Sequence, residues 1–151
     1  MKNSFKILRL QKNNLDLFVN LVQLLNEVFE EPNLIASKKQ LKKLLMQSDF
    51  YAVVAIINDL VVGGLTAYEL ERYYTDQSEL HIYDIAVKTN LHNQGIGKAL
   101  VNYLKEYASQ HEIETIFVQA HSEDKQAVKF YESTIGKGEK VDYFNLNMKT
   151  R

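Results

Sequence analysis

Two side chains within one apolar run could handle a proton. The run is Glu79-Leu80-His81-Ile82-Tyr83-Asp84-Ile85-Ala86-Val87. A histidine such as His81 can give or take a proton. Asp84 is a carboxylate in an otherwise apolar stretch. An unpaired buried charge is costly, so Asp84 needs a partner or a polar cleft. The plainer readings are a satisfied core or surface histidine and a structural hydrogen-bond hub. Further on stands His92-Asn93-Gln94-Gly95-Ile96-Gly97-Lys98. A glycine turn that opens a helix presents free backbone N–H groups and the positive end of the dipole, and glycine lets a phosphate approach closely. The stretch is a candidate pyrophosphate cradle, with Lys98 adding a cation. Gly-x-Gly alone also fits an ordinary strand-to-helix turn. It is not a P-loop, because Ala99 follows Gly97-Lys98, and not a dinucleotide fingerprint, because position 100 is Leu.

A third feature is acidity. Between Ala67 and Asp84 stand Glu69, Glu71, Asp76, Glu79 and Asp84, against Arg72 alone. Carboxylates around a cleft attract and orient a cation; along a loop they are merely solvated.

The elements that position these residues follow from hydrophobic periodicity. The run from Glu79 to Val87 predicts a strand, rich in β-branched and aromatic residues. Strict alternation would put His81, Tyr83, Ile85 and Val87 on one face and Ile82, Asp84 and Ala86 on the other. Ala99, Leu100, Tyr103, Leu104 and Tyr107 predict a helix after the glycine turn. Before the central strand, Phe5–Leu10 alternates as a strand. Leu15, Phe18, Val19, Val22, Leu25, Val28 and Phe29 form a helical stripe, which Glu30-Glu31-Pro32 breaks. Ser37-Lys38-Lys39-Gln40 reads as a capping box before a helix with Leu41, Leu44 and Leu45 on one face. Phe50–Ile57 predicts a buried strand, Asn58-Asp59 a tight turn, and Leu60–Ala67 the returning strand, with Gly63-Gly64 marking a weak point or bulge. Thr115–Ala120 predicts a strand, Asp124–Ser133 a short helix, and Val141–Met148 a last strand. This alternation fits a mixed α/β sheet flanked by helices.

Composition narrows the class. At 151 residues, with 46% apolar and 25% charged residues, the chain is the size and makeup of one globular domain. A net charge of −1 offers no signature of nucleic-acid binding. The absence of cysteine excludes disulfides, Cys-ligated zinc and a Cys acyl-enzyme. No apolar run reaches membrane-spanning length, and no apolar segment follows Met1-Lys2-Asn3-Ser4-Phe5-Lys6. A cytoplasmic protein without a metal or a membrane is expected.

The strand ending Ile85-Ala86-Val87, the turn Gly95-Ile96-Gly97-Lys98-Ala99-Leu100, and Ala127-Val128-Lys129-Phe130-Tyr131 together resemble the GNAT superfamily of N-acetyltransferases. The resemblance spans nearly the whole chain. It implies one domain over residues 1–151, with a mixed, mostly antiparallel central sheet flanked by helices and a splayed cleft beside the central strand. The implied co-substrate is acetyl-coenzyme A. Its binding residues would be the main chain of Ile85, Ala86 and Val87, and the turn residues His92, Asn93, Gln94, Gly95, Ile96, Gly97 and Lys98. His92 departs from the superfamily's usual Arg or Gln. In many members a tyrosine at the place of Tyr131 protonates the departing thiolate, a role a phenol can fill; the plainer reading is a core tyrosine. From Tyr131 to Gly136 the chain is one residue longer than usual. The attacking amine must lose a proton, to Asp84 or His81, directly or through a water.

Ala67-Tyr68-Glu69-Leu70, Ser78-Glu79, Ile82–Val87, Val118-Gln119-Ala120, Ala127-Val128 and Glu139-Lys140-Val141 are similar to one subgroup, the type I aminoglycoside 3-N-acetyltransferases. This implies acetylation of the 3-amino group of an antibiotic's deoxystreptamine ring, with Glu69, Asp84, His121 and Glu139 at the acceptor. His121 stands where the subgroup has Asp, and Lys140 and Asn145 stand at usually acidic positions, so the acidic lining is thinned. The alternatives are the same transfer to a polyamine, a small metabolite amine or a peptide, and a non-catalytic acyl-coenzyme A-binding module. The superfamily often forms homodimers.

Overall fold

Hairpins lay down most of the sheet. The computed structural model describes residues 4–149. Its strands are β1 (Lys6–Arg9), β2 (Phe50–Ile57), β3 (Leu60–Glu71), β4 (Ser78–Val87) and β5 (Ile113–Val118), in the spatial order β1-β2-β3-β4-β5. The first three pairings are antiparallel and β4–β5 is parallel. Between β2 and β3, Asn58 and Asp59 take positive φ values of 49° and 64°. A two-residue hairpin turn with the sheet's twist needs such a pair, and Asn and Asp tolerate it.

Both sheet faces are covered, which is why β2 reads as a continuous apolar run. Helices α1 (Leu15–Val28) and α2 (Lys38–Leu45) cover one face. There Phe18, Leu21, Leu24, Leu25, Leu41 and Leu45 pack with Phe50, Ala52, Val54 and Ile56. Ser37 caps α2, its Oγ accepting from the Gln40 N–H at 3.2 Å. Helix α3 (Ile96–Gln110) covers the other face, where Ile96, Leu100, Leu104 and Ala108 meet Tyr51, Val53, Leu65, Leu80 and Ile82.

Gly63 and Gly64 let the two layers close on β3. A Cβ on Gly64 would stand 2.4 Å from a Leu21 methyl and 2.8 Å from the Val53 carbonyl oxygen. A Cβ on Gly63 would meet Ala86 O at 3.1 Å and Ile96 at 3.3 Å. Both glycines pair normally with β4; the register shift with β2 falls beside them, between Ala55 and Ile56.

The chain forms two compact units, one ending at Gln119 and one beginning at Ala120. The second carries α4 (Lys125–Thr134), capped by Asp124, which accepts from the Ala127 N–H at 3.1 Å. The extra residue after Tyr131 leaves the helix end closed, because Ile135 and Gly136 both donate to Tyr131 O, at 2.7 and 3.1 Å. Gly136, at φ 147°, ends it. The last strand expected over Val141–Met148 does not form among the described residues. Its apolar side chains are exposed, Val141 at 72% and Phe144 at 88%. Alternation supplies a face, but a strand also needs a partner's backbone.

Candidate active site

A single bulge shapes the centre of β4. Thr66 of β3 faces Asp84, but the next residue, Ala67, faces Ile82, so Tyr83 is an extra residue on β4. The bulge resets the alternation. Leu80 and Ile82 belong to the α3 side, whereas Ala86 belongs to the α1 side and Ile85 and Val87 pack on the α3 side. The expected split is therefore corrected: Ile82 and Ala86 lie on opposite faces. His81 and Asp84 come to share the α1 side. Asp84 is half-buried, and burial raises its pKa above the ordinary carboxylate value. Among the described residues no cation pairs with it. His81 stacks on Phe117 with 4.6 Å between centroids and 2° between planes.

The other half of β4 faces an opening. β5 pairs with β4 only as far as Ile82↔Val118, while β4 runs on to Val87. This is the splay beside the central strand. The Lys88 N–H donates toward β3, to Val62 O at 2.8 Å. By strand alternation, the N–H and C=O of Val87 and Ile85 point the other way, into the gap. His92 Nε2 lies 2.9 Å from Val87 O there. Only the neutral or charged imidazole with a proton on Nε2 can donate that bond.

His92 follows a 3₁₀ turn, Thr89–Leu91, and leads into the cradle. Asn93 (φ 63°) and Gly95 (φ 84°) are both left-handed, which curls the backbone ahead of α3. A Cβ built on Gly95 would meet nothing within 4 Å, so the turn is open on that side. The first helical bond runs from the Ala99 N–H to Gly95 O at 3.0 Å. The amides of Ile96, Gly97 and Lys98 therefore precede the helix's own ladder and suit a phosphate. The residues present fit the phosphates and the amide-bearing arm of a coenzyme A thioester.

Glu69 is elsewhere. Its carboxylate sits on the α3 side, accepting from Tyr51 Oη at 2.5 Å and Ser78 Oγ at 2.7 Å. Burial, then the bond to Glu69, holds the Tyr51 phenol protonated by raising its pKa. These residues line a cavity of about 1060 Å³ with Arg72, Tyr107 and Glu112, near the opposite end of β4 from Val87. The structure thus separates Glu69 from Asp84. Arg72, the lone cation of the acidic stretch, binds Glu79 at 3.1 Å, Glu114, and Thr115 Oγ1 at 2.8 Å.

The remaining expected residues belong to the second unit. Tyr131 is on α4 with its ring 5.4 Å from Phe130, and is partly buried. His121 and Glu139 are exposed outside the helix. Sequence reasoning missed Tyr68, on the Asp84 side. Burial, then Tyr83, Asp84 and Asp49 nearby, raises its hydroxyl pKa. Its alternation with Glu69 was legible; the bulge that brings Tyr83 and Asp84 to it was not. No group of three or more His, Asp or Glu positioned for a metal occurs among the described residues.

The sequence pattern of the acetyltransferase (GNAT) family matches residues 18–136. No curated protein matches the chain in sequence. Among solved structures, the chain is similar to an aminoglycoside acetyltransferase from an uncultured soil metagenomic sample: 41% identity, TM-score 0.92, over 96% of this chain and 97% of that one. That enzyme was crystallised with trehalose and with sisomicin. A second aminoglycoside acetyltransferase from such a sample is 32% identical, with TM-score 0.91 over 97% and 99% of the two chains. A ribosomal-protein-alanine N-acetyltransferase from Brucella melitensis biovar Abortus 2308, 19% identical with TM-score 0.76 over 97% and 100%, shares the fold alone.

Proposed function

The chain belongs to the acetyltransferase (GNAT) family, and on that premise we propose that it transfers acetyl from acetyl-coenzyme A to the 3-amino group of an aminoglycoside. The observation that carries the acceptor is the 41% identity, over nearly all of both chains, to an aminoglycoside acetyltransferase crystallised with sisomicin. The position of the acetylated amine rests on the subgroup resemblance.

The co-substrate supplies, when bound, an acyl carbon activated as a thioester. Everything else falls to this chain. The amides at the start of α3 and the cation of Lys98 hold the phosphates. The main chain of Ile85 and Val87, directed into the gap beside β4, pairs with the amide-bearing arm. Val87 N–H polarises the thioester carbonyl. His92 occupies Val87 O and fixes the strand end. Asp84 binds the acceptor's ammonium group and accepts its proton, directly or through His81 or a water; burial makes it a stronger base than a surface carboxylate. The amine nitrogen then attacks in a ternary complex, and Tyr131 donates a proton to the thiolate as the carbon–sulfur bond breaks. In the second unit, His121 and Glu139 serve the acceptor.

One observation favours a second reading, the same transfer to a less charged amine. Glu69 and Glu79 are engaged by Tyr51, Ser78 and Arg72, which leaves fewer carboxylates for a polycation. Thiol release from acetyl-coenzyme A, measured against sisomicin, gentamicin, kanamycin, spermidine and short peptides, separates the two. The proposal predicts turnover of the aminoglycosides; turnover of spermidine or peptides alone would replace it with the second reading.

A further inference from the structure

The bulge in β4 does more than turn Asp84. It puts two consecutive side chains, Tyr83 and Asp84, beside the same neighbour, Tyr68. The Tyr83 ring stands edge-on to Tyr68 with centroids 5.9 Å apart. Tyr68 in turn packs on Phe50 at 5.1 Å and is anchored in the core. On its other side Tyr83 lies 6.3 Å from His81, which stacks on Phe117. An unbroken row of rings thus runs past Asp84, a half-buried carboxylate with no cation partner among the described residues.

Tyr83 is placed unusually within this row. Ile82, its neighbour, is 1% exposed, but the Tyr83 ring is 64% exposed. Leu80 and Ile82 are buried and Ile85 and Val87 partly so, whereas the Tyr83 ring is presented rather than packed. It is also the residue without a partner on β3, so sheet pairing does not require it. An aromatic face next to a carboxylate suits a rigid ring that carries an ammonium group. The ring's C–H face covers the aromatic, the ammonium lies within the field of both, and Asp84 takes the charge. A linear polyamine covers less of such a face.

We propose that Tyr83 is a specificity-determining residue, a platform on which an amino-substituted saccharide or cyclitol ring stacks with its amine directed to Asp84. This rests on the aminoglycoside reading and deepens it. The expected energy is that of one aromatic contact, so the effect is a shift in affinity rather than a loss of chemistry.

The test is steady-state kinetics of the whole chain with sisomicin, for wild type, Tyr83→Ala and Tyr83→Phe, with melting curves for each. Tyr83→Ala is expected to raise KM for sisomicin about tenfold, with kcat changed by less than about threefold. Tyr83→Phe keeps the face and is expected to restore KM. A Tyr83→Ala variant with wild-type KM overturns the platform while leaving the aminoglycoside reading intact. So does a Tyr83→Phe variant as impaired as Tyr83→Ala, which would assign the hydroxyl instead of the face. A wild type that acetylates no aminoglycoside overturns the reading and the platform together.

Discussion

Burial makes Asp84 hold a proton more tightly than an ordinary carboxylate does. That has a consequence for stability and one for rate. Because the native pKa is raised, the contribution of Asp84 to stability is complete below the unfolded carboxylate pKa and is lost as pH rises through the native value. Asp84→Asn should therefore melt higher than wild type at neutral pH, and the difference should vanish in acid. The same variant should lose turnover by about 100-fold if Asp84 is the base, and the acid limb of wild-type kcat/KM should lie above the ordinary carboxylate range. A variant that is less stable at neutral pH would show that Asp84 is a structural hub. The second residue-scale prediction concerns Tyr131. Tyr131→Phe should cut kcat about 100-fold while acetyl-coenzyme A binding, followed by calorimetry, is unchanged. Unchanged kcat would remove the phenol from the mechanism.

At the scale of elements, β3 is where two helices meet one strand. Gly64 has no room for a methyl group, being bounded by Leu21 of α1 and the Val53 carbonyl. Gly64→Ala should destabilise the chain by about 1–3 kcal/mol in denaturant unfolding; no loss would mean that α1 shifts freely on the sheet. This role was not legible in the sequence, where paired glycines in a strand suggest weakness or a bulge. The elements themselves were legible, because periodicity is local. The β2 run, its Asn58-Asp59 turn and the Ser37 cap all follow from neighbouring residues. The register of β4 is not local. Nothing in Ile82-Tyr83-Asp84 announces an extra residue; the bulge emerges only against Thr66 and Ala67 of the next strand. Alternation therefore failed at the two candidate proton-handling residues, and it put Asp84 and His81 on different faces. It failed again at Val141–Met148, where the side-chain pattern was present but no strand forms among the described residues. Acidity along a strand counts charges without saying which face each one takes, so the position of Glu69 beside Tyr51 and Ser78 was not legible either.

For the whole molecule, length and composition were enough to suggest an enzyme-sized globular chain, and a few motifs were enough to suggest its family. The glycine turn ahead of α3 was the most legible part of the candidate site, because such a turn makes its own amides available wherever it occurs. The acceptor was the least legible, because a cleft is assembled from distant strands. What it acetylates is thus the central claim, and the most direct measurement is the structure of the product. Wild-type protein, acetyl-coenzyme A and sisomicin would be incubated and the acetylated amine located by NMR. A single acetyl group on the 3-amine is the predicted result. Acetylation at another amine would keep the aminoglycoside and contradict the assigned position, and unmodified sisomicin beside acetylated spermidine or peptide would contradict the acceptor itself.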